Sequence, residues 1–134
     1  MNWNYITGFF DGDGSIIFVK AKSSQQRTPQ LSFSNNVLTI LEEIRDFIYD
    51  NLDVKGFISI KRKGKFIGYE LKYVYLKKSL LILPYIKSIH PKKQFRINLI
   101  LTELKSITSR NGRYTEDQLN KRLDFENRFF STFP

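Results

Sequence analysis

Cysteine is absent from the sequence. Disulfide staples and thiolate metal sites are therefore excluded, and a reducing compartment fits. Histidine is nearly absent too: the single one is His90. That excludes zinc sites needing two or three imidazoles, and nucleases built on several histidines. Long apolar runs are also missing. LLILPYI, Leu80 to Ile86, falls far short of the roughly 20 residues that cross a bilayer. The opening MNWNYITGFF lacks the basic n-region of a secretory signal. The expectation is a soluble, intracellular protein with no membrane. Acids are the remaining scarcity. Against 22 Lys and Arg stand 13 Asp and Glu, a formal net charge of +9. Such an excess points to nucleic acid as partner, ahead of an anionic membrane or a mere aid to solubility.

What is present suits one globular domain over 1–134. Its 134 residues are 41% hydrophobic, enough for a core and too apolar for a disordered chain. Residues 3 to 12 read as a helix apolar nearly all round, hence buried. SIIFVKAK from Ser15 reads as a strand. SSQQRTP reads as a polar loop. Gln30 to Asn35 alternates as a second strand. Leu38, Leu41, Ile44, Ile48 and Leu52 mark a helix, with Asn36 or Thr39 as its cap. Phe57 to Lys63 and Phe66 to Leu76 read as a hairpin turning near Gly64. Helices follow near Lys77 to Leu83 and Lys92 to Ile107. Thr115 with Gln118 matches a capping box before a last helix ending near Phe130. This order predicts an α+β, antiparallel layer with helices on one face of the sheet.

The sharpest local pattern is ITGFFDGDGSI, Ile6 to Ile16. Gly8 and Gly12 lie four apart, on one side of the first helix. Glycine inside a helix costs about 1 kcal/mol against alanine. Close approach of a second backbone offsets that cost, and the nearest candidate is a second copy of the same helix. Asp13 ends this helix, where the macrodipole is already negative. An acid there calls for a compensating cation, such as a divalent metal held by carboxylate and carbonyl oxygens. Two alternatives compete. One is an ordinary helix end, with Gly12 or Gly14 left-handed and both acids solvated. The other is an EF-hand-type calcium loop, which fails because Lys20 falls where the bidentate Glu is required.

Ile6 to Gly14, continued by Ser15-Ile16-Ile17, resembles the signature of the LAGLIDADG homing endonucleases. The resemblance extends to about residue 105, through QLSFSNN, LEEI and HPKKQFRINL. It implies an αββαββα fold with a saddle-shaped DNA-binding sheet. One motif per chain is similar to the single-motif subfamily, which works as homodimers. The implied interface runs over residues 5 to 12, with Tyr5, Gly8, Phe9 and Gly12 in it. By position, Asp13 would be the metal-binding acid, assisted by the carbonyl of Gly12, with Mg2+ or Mn2+ as cofactor. Lys93 would match the active-site lysine, with Lys92 the other register. Asn35 falls where many members carry glutamine near the scissile phosphate, and is shorter by one methylene. Asp11 would belong to the helix interface and not to the metal. The implied activity is site-specific double-strand cleavage on a long near-palindromic site, leaving short 3′ overhangs. The implied partners are double-stranded DNA and a second copy, with no small-molecule substrate. A Lys, Ile, Asn and Phe bias fits an AT-rich genome and an organelle-encoded gene of a chloroplast or mitochondrion.

Strand parity yields the DNA-facing residues. Leu31 and Phe33 point inward, leaving Gln30, Ser32 and Ser34 outward. Ile58 and Ile60 point inward, leaving Ser59, Lys61 and Lys63. Tyr69, Leu71 and Tyr73 point inward, leaving Glu70 and Lys72. The first strand is apolar on both sides; a bulge in it would bring Lys20 and Lys22 to the DNA. Lys, Gln and Ser both neutralise phosphates and read base edges. Two rivals remain. Asp53 with Glu70-Leu71-Lys72 imitates the D…ExK pattern of restriction-type nucleases. An intron-splicing maturase or a DNA-binding regulator could use the same fold without cleavage.

Overall fold

The computed structural model describes residues 1–20, 26–109 and 113–131. The chain opens with a helix (α1, Trp3–Asp13) whose Asn2 side chain accepts from the Tyr5 amide at 2.8 Å. Ile6 and Phe10 are its buried residues. Trp3 stacks on Tyr85 and meets Phe47 edge-on. The helix hands over directly to a strand (β1, Gly14–Lys20). Gly14 has φ −100°, so neither a left-handed Gly14 nor a left-handed Gly12 ends α1: the described positive-φ glycine is Gly64 alone. The reason for glycine at 14 is space. A Cβ there would lie 2.4 Å from the Phe10 ring.

Strand β2 is Arg27–Asn35, longer than the alternation suggested. It pairs antiparallel with β1, Gly14 opposite Phe33 through Lys20 opposite Arg27. The expected polar loop therefore gives up Arg27 to Pro29 to the sheet. Pro29 is tolerated because pairing with the next strand begins only at Gln30, and a ladder donor is not needed there. Helix α2 (Leu38–Leu52) buries Leu41, Ile44 and Ile48. Neither Asn36 nor Thr39 caps it. Val37 holds the N-cap position, and the Asn35 side chain accepts its amide at 2.8 Å.

The hairpin forms from β3 (Phe57–Lys63) and β4 (Phe66–Val74), with Gly64 at φ +61° in the turn; β4 ends two residues before the expected Leu76, which opens the next helix. The sheet order is β1-β2-β4-β3, antiparallel throughout. Helix α3 (Leu76–Ile82) runs into a 3-10 turn at Leu83–Tyr85, which carries Pro84. Helix α4 (Pro91–Leu99) continues as a π segment, Ile100–Leu104, so the expected long helix ends by Leu104. Helix α5 (Glu116–Phe130) starts with the predicted Thr115–Gln118 capping box. Helices α1 to α4 pack on the sheet. Between them lies the core, including Ile16, Phe18, Leu31, Phe33, Leu71 and Tyr73. Among the described residues, no helix is long and apolar enough to cross a membrane.

Candidate active site and nucleic-acid interface

Asp13 is the last residue of α1 and is exposed. Its side chain accepts from the Asn35 amide at 3.4 Å. Asn35 thus stands beside Asp13 while its oxygen holds the start of α2. Among the described residues, no cationic nitrogen lies within 4 Å of the Asp13 carboxylate.

Lys93 comes to the same place from α4. Pro91 and the extended His90 start that helix, and a proline at the first positions is pre-set for it. Lys92 is exposed while Lys93 is half-buried. Its Nζ donates to the Phe10 carbonyl at 2.8 Å and the Asp11 carbonyl at 2.9 Å. The Asp11 carbonyl lies in the last turn of α1, where carbonyls lack intrahelical donors, and the Phe10 carbonyl also accepts the Gly14 amide. Burial pushes the Lys93 ammonium below its usual value, while Asp11 and Asp13 act to raise it. The argument that the acids at this helix end require a metal is therefore amended, because Lys93 supplies one positive charge from within the chain.

Asp11 is half-buried. Its carboxylate accepts from Ser88 Oγ and from the Ile89 amide, pinning the segment before α4. Asp11 and Lys93 are thus reciprocal ties between α1 and α4. Nothing in the sequence pattern announces a contact 77 residues apart.

A hard divalent cation fits the donors that remain. The Gly12 carbonyl belongs to the last turn and has no intrahelical partner. Together with Asp13 it offers oxygen only, the preference of Mg2+ and Mn2+. Among the described residues, no three His, Cys, Asp or Glu gather as a closed metal cage. Such an open set suits an ion that takes one carboxylate and fills its other positions with water and substrate phosphate.

The opposite half of α1 is uncovered. Tyr5 is 46% exposed, Gly8 and Gly12 are exposed, and Phe9 is half-buried, close to Tyr5 and Phe33. The all-round burial expected of α1 does not occur in one copy. Added Cβ atoms at Gly8 or Gly12 would meet nothing within 4 Å.

The outer face of the sheet follows the expected parity with several corrections. Gln30 and Ser34 are half-buried on it, and Ser59, Lys61 and Lys63 lie along β3. Ser32 points outward but is only 3% exposed, covered by its neighbours and bonded to Ser15 Oγ at 2.7 Å. Glu70 is only 8% exposed and is committed to Lys61 and Lys72. Ile60 lies on the inner side yet is 56% exposed, because the core does not reach that far along the hairpin. In β1, Ile16 and Phe18 turn inward, leaving Ser15, Ile17 and Val19 outward. Pairing is unbroken to Lys20, so no bulge carries Lys20 across; it stays on the Phe18 side at the strand end. Lys22 lies outside the described residues. The sequence reading missed Thr28, Ile17, Val19 and Phe66 on this face. Register with β2 would have placed the first three. Phe66, 82% exposed beside the turn, was legible as the first residue of β4.

The D…ExK imitation is not assembled. Asp53 closes α2 and lines a groove with Lys77, Lys78 and Leu81 of α3, in the helix layer. Glu70 stands on the other face of the sheet.

A family model described as LAGLIDADG endonuclease matches residues 6–115. Among solved structures, the fold is similar to the LAGLIDADG meganuclease I-AabMI bound to uncleaved DNA. Identity is 20%, coverage 97% of this chain and 45% of that one, with a TM-score of 0.67. I-GzeII in complex with its DNA target gives 19%, 99%, 45% and 0.70 in the same order. The homing endonuclease I-CvuI in complex with its target gives 17%, 97%, 83% and 0.65. The chain spans less than half the length of the first two. At these identities the likeness is one of fold. No curated protein matches the chain.

Proposed function

The chain belongs to the LAGLIDADG endonuclease family, and on that premise we propose that it is a site-specific double-strand DNA endonuclease acting as a homodimer. The observation that carries the reading is the meeting of Asp13 and Lys93 at the end of α1. Among the described residues, an exposed carboxylate with no cationic nitrogen within 4 Å shares this helix end with a half-buried ammonium. Two copies joined along Gly8 and Gly12 would bring two such ends together beneath two basic sheets. The DNA complexes of the structural relatives support the choice of substrate.

The contacts support a role for each residue. Asp13 and the Gly12 carbonyl would hold Mg2+ or Mn2+, which supplies a Lewis acid to the phosphate and makes a bound water more acidic. Asn35 orients the Asp13 carboxylate through its amide donor. Lys93 spends two of its three N–H donors on carbonyls. The third is left to stabilise charge developing on the phosphate or to hold the attacking water. The outer sheet grips the duplex, and the two-fold axis makes the site near-palindromic. Short 3′ overhangs and an organelle-encoded origin are part of the same proposal.

The test is single-turnover cleavage with magnesium, beside a binding assay in calcium, on duplexes selected from a randomised pool. Asp13→Asn keeps size and one oxygen. It should abolish cleavage and leave binding equal or slightly tighter, since one repulsion with phosphate is gone. Lys93→Met should slow the chemical step far more than it weakens binding. A restriction-type enzyme would invert this, tolerating Asp13→Asn and dying with Glu70→Gln. A maturase or regulator would show no metal-dependent cutting at all.

A further inference from the structure

The outer face of the sheet carries an ion triad at its centre. Lys61 Nζ lies 2.6 Å from Glu70 Oε2, and Lys72 Nζ lies 3.1 Å from Glu70 Oε1. Ser34 Oγ bridges the group, donating to Glu70 at 3.4 Å and accepting from Lys61 at 3.5 Å. Glu70 is nearly buried beneath the two lysines. Burial alone would raise its carboxyl pKa. The bonds and charges of Lys61 and Lys72 outweigh that and hold it below the ordinary carboxylate value. The register explains the convergence. Lys72 is two residues along β4 from Glu70, and Lys61 is its diagonal neighbour across β3, Ser59 being directly opposite.

An acid at the centre of a surface meant for DNA is electrostatically adverse. Its effect on the lysines decides what they can do. A free lysine is a flexible point charge suited to phosphate. These two share one carboxylate, so their joint charge is halved and their ammonium groups are held in place. Both changes weaken phosphate attraction. Neither removes the spare N–H donors. Lys72 uses one of three on Glu70, and Lys61 uses two on Glu70 and Ser34. Fixed donors at reduced charge suit base edges, and guanine presents two acceptors, N7 and O6, in the major groove.

We propose that Lys61 and Lys72 read guanines of the target, with Glu70 as the positioning residue that turns them from phosphate neutralisers into base readers. The inference rests on the DNA-endonuclease reading and deepens it. Removing either lysine acts at one position of each half-site. Freeing both lysines by loss of the carboxylate trades selectivity for indiscriminate grip.

The experiment measures binding of purified protein in calcium to the pool-selected duplex and to every single-pair substitution, at several salt concentrations. Lys61→Met and Lys72→Met should each cut discrimination at one G·C pair by roughly 5- to 150-fold, with the loss confined to that pair. 7-Deazaguanine at that pair should weaken the wild type and leave the matching lysine variant unaffected. Glu70→Gln keeps shape and one acceptor. It should bind random duplex more tightly, steepen the salt slope by about one unit, and lose preference at both pairs. Circular dichroism checks that each variant is folded. Uniform weakening by both lysine variants, with the slope falling by about one unit each, would overturn the inference and leave the nuclease reading standing. So would Glu70→Gln with the full wild-type preference. A wild type that selects no sequence from the pool would remove the nuclease reading, and this inference with it.

Discussion

At the residue scale, the end of α1 is held by two ties that run in opposite directions. The Asp11 side chain accepts hydrogen bonds from the segment before α4, and the Lys93 side chain donates hydrogen bonds to α1 carbonyls. Asp11→Ala cuts one tie and leaves the Ile89 amide without its partner. It should cost about 1 to 3 kcal/mol in urea unfolding and slow cleavage by loosening Lys93. Asp11→Asn, which keeps an acceptor, should recover part of both. A second residue-scale expectation concerns pH. Arg128 holds the Glu103 carboxyl below its usual value through paired bonds of 2.7 and 2.6 Å, against a smaller effect of burial. A lowered pKa contributes stability that is full above the unfolded value, about 4.3 for Glu, and is lost as pH falls through the folded value. The stability gap between wild type and Glu103→Gln should therefore be open at neutral pH and close in acid, read as unfolding midpoints against pH. Asp13 and Lys93 were legible because a motif and a helix start mark them. The partners of Asp11 and Glu103 were not, because side-chain bonds over long sequence separations leave no period in the chain.

At the element scale, alternation gave β2, β3 and β4 their faces, since the middle of each strand turns apolar residues inward, while Phe57, Phe66 and Val74 at the strand ends depart from it. It could not orient β1, where Ile16, Ile17, Phe18 and Val19 are all apolar. Pairing with β2 decides that question, and pairing is a property of two strands. The α2 cap was misread because Asn35, inside β2, does the bonding that a helix-adjacent Asn36 or Thr39 was expected to do. Helix α5 lies beyond the 6–115 matched by the family model, yet it is built into the core. Phe125 and Phe129 pack on Phe18, and Arg96 of α4 lies over the Phe129 ring at 4.5 Å while donating to its carbonyl. Buried Arg122 donates to the Arg27 carbonyl at the start of β2. Phe129→Ala should therefore destabilise by about 3 to 5 kcal/mol. If α5 were a detachable tail, urea unfolding would show almost no change.

At the scale of the whole molecule, charge and assembly are linked. The net +9 suits a chain that meets a polyanion, and the uncovered Gly8–Gly12 side of α1 suits a chain that meets itself. One copy presents one Asp13, and on the proposed reading two copies supply one to each strand. Gly8→Leu isolates this pairing. Its Cβ meets nothing in the single copy, and replacing helical glycine should stabilise the monomer by up to about 1 kcal/mol, while overpacking any helix laid against it. The most direct measurement is therefore paired sedimentation and magnesium-dependent single-turnover cleavage of the selected duplex, for wild type and Gly8→Leu. The account predicts that wild type sediments on DNA as a dimer and cuts both strands, while Gly8→Leu is folded, monomeric and inactive. A wild type that stays monomeric on its DNA, or a Gly8→Leu variant that cuts as well as wild type, would contradict it.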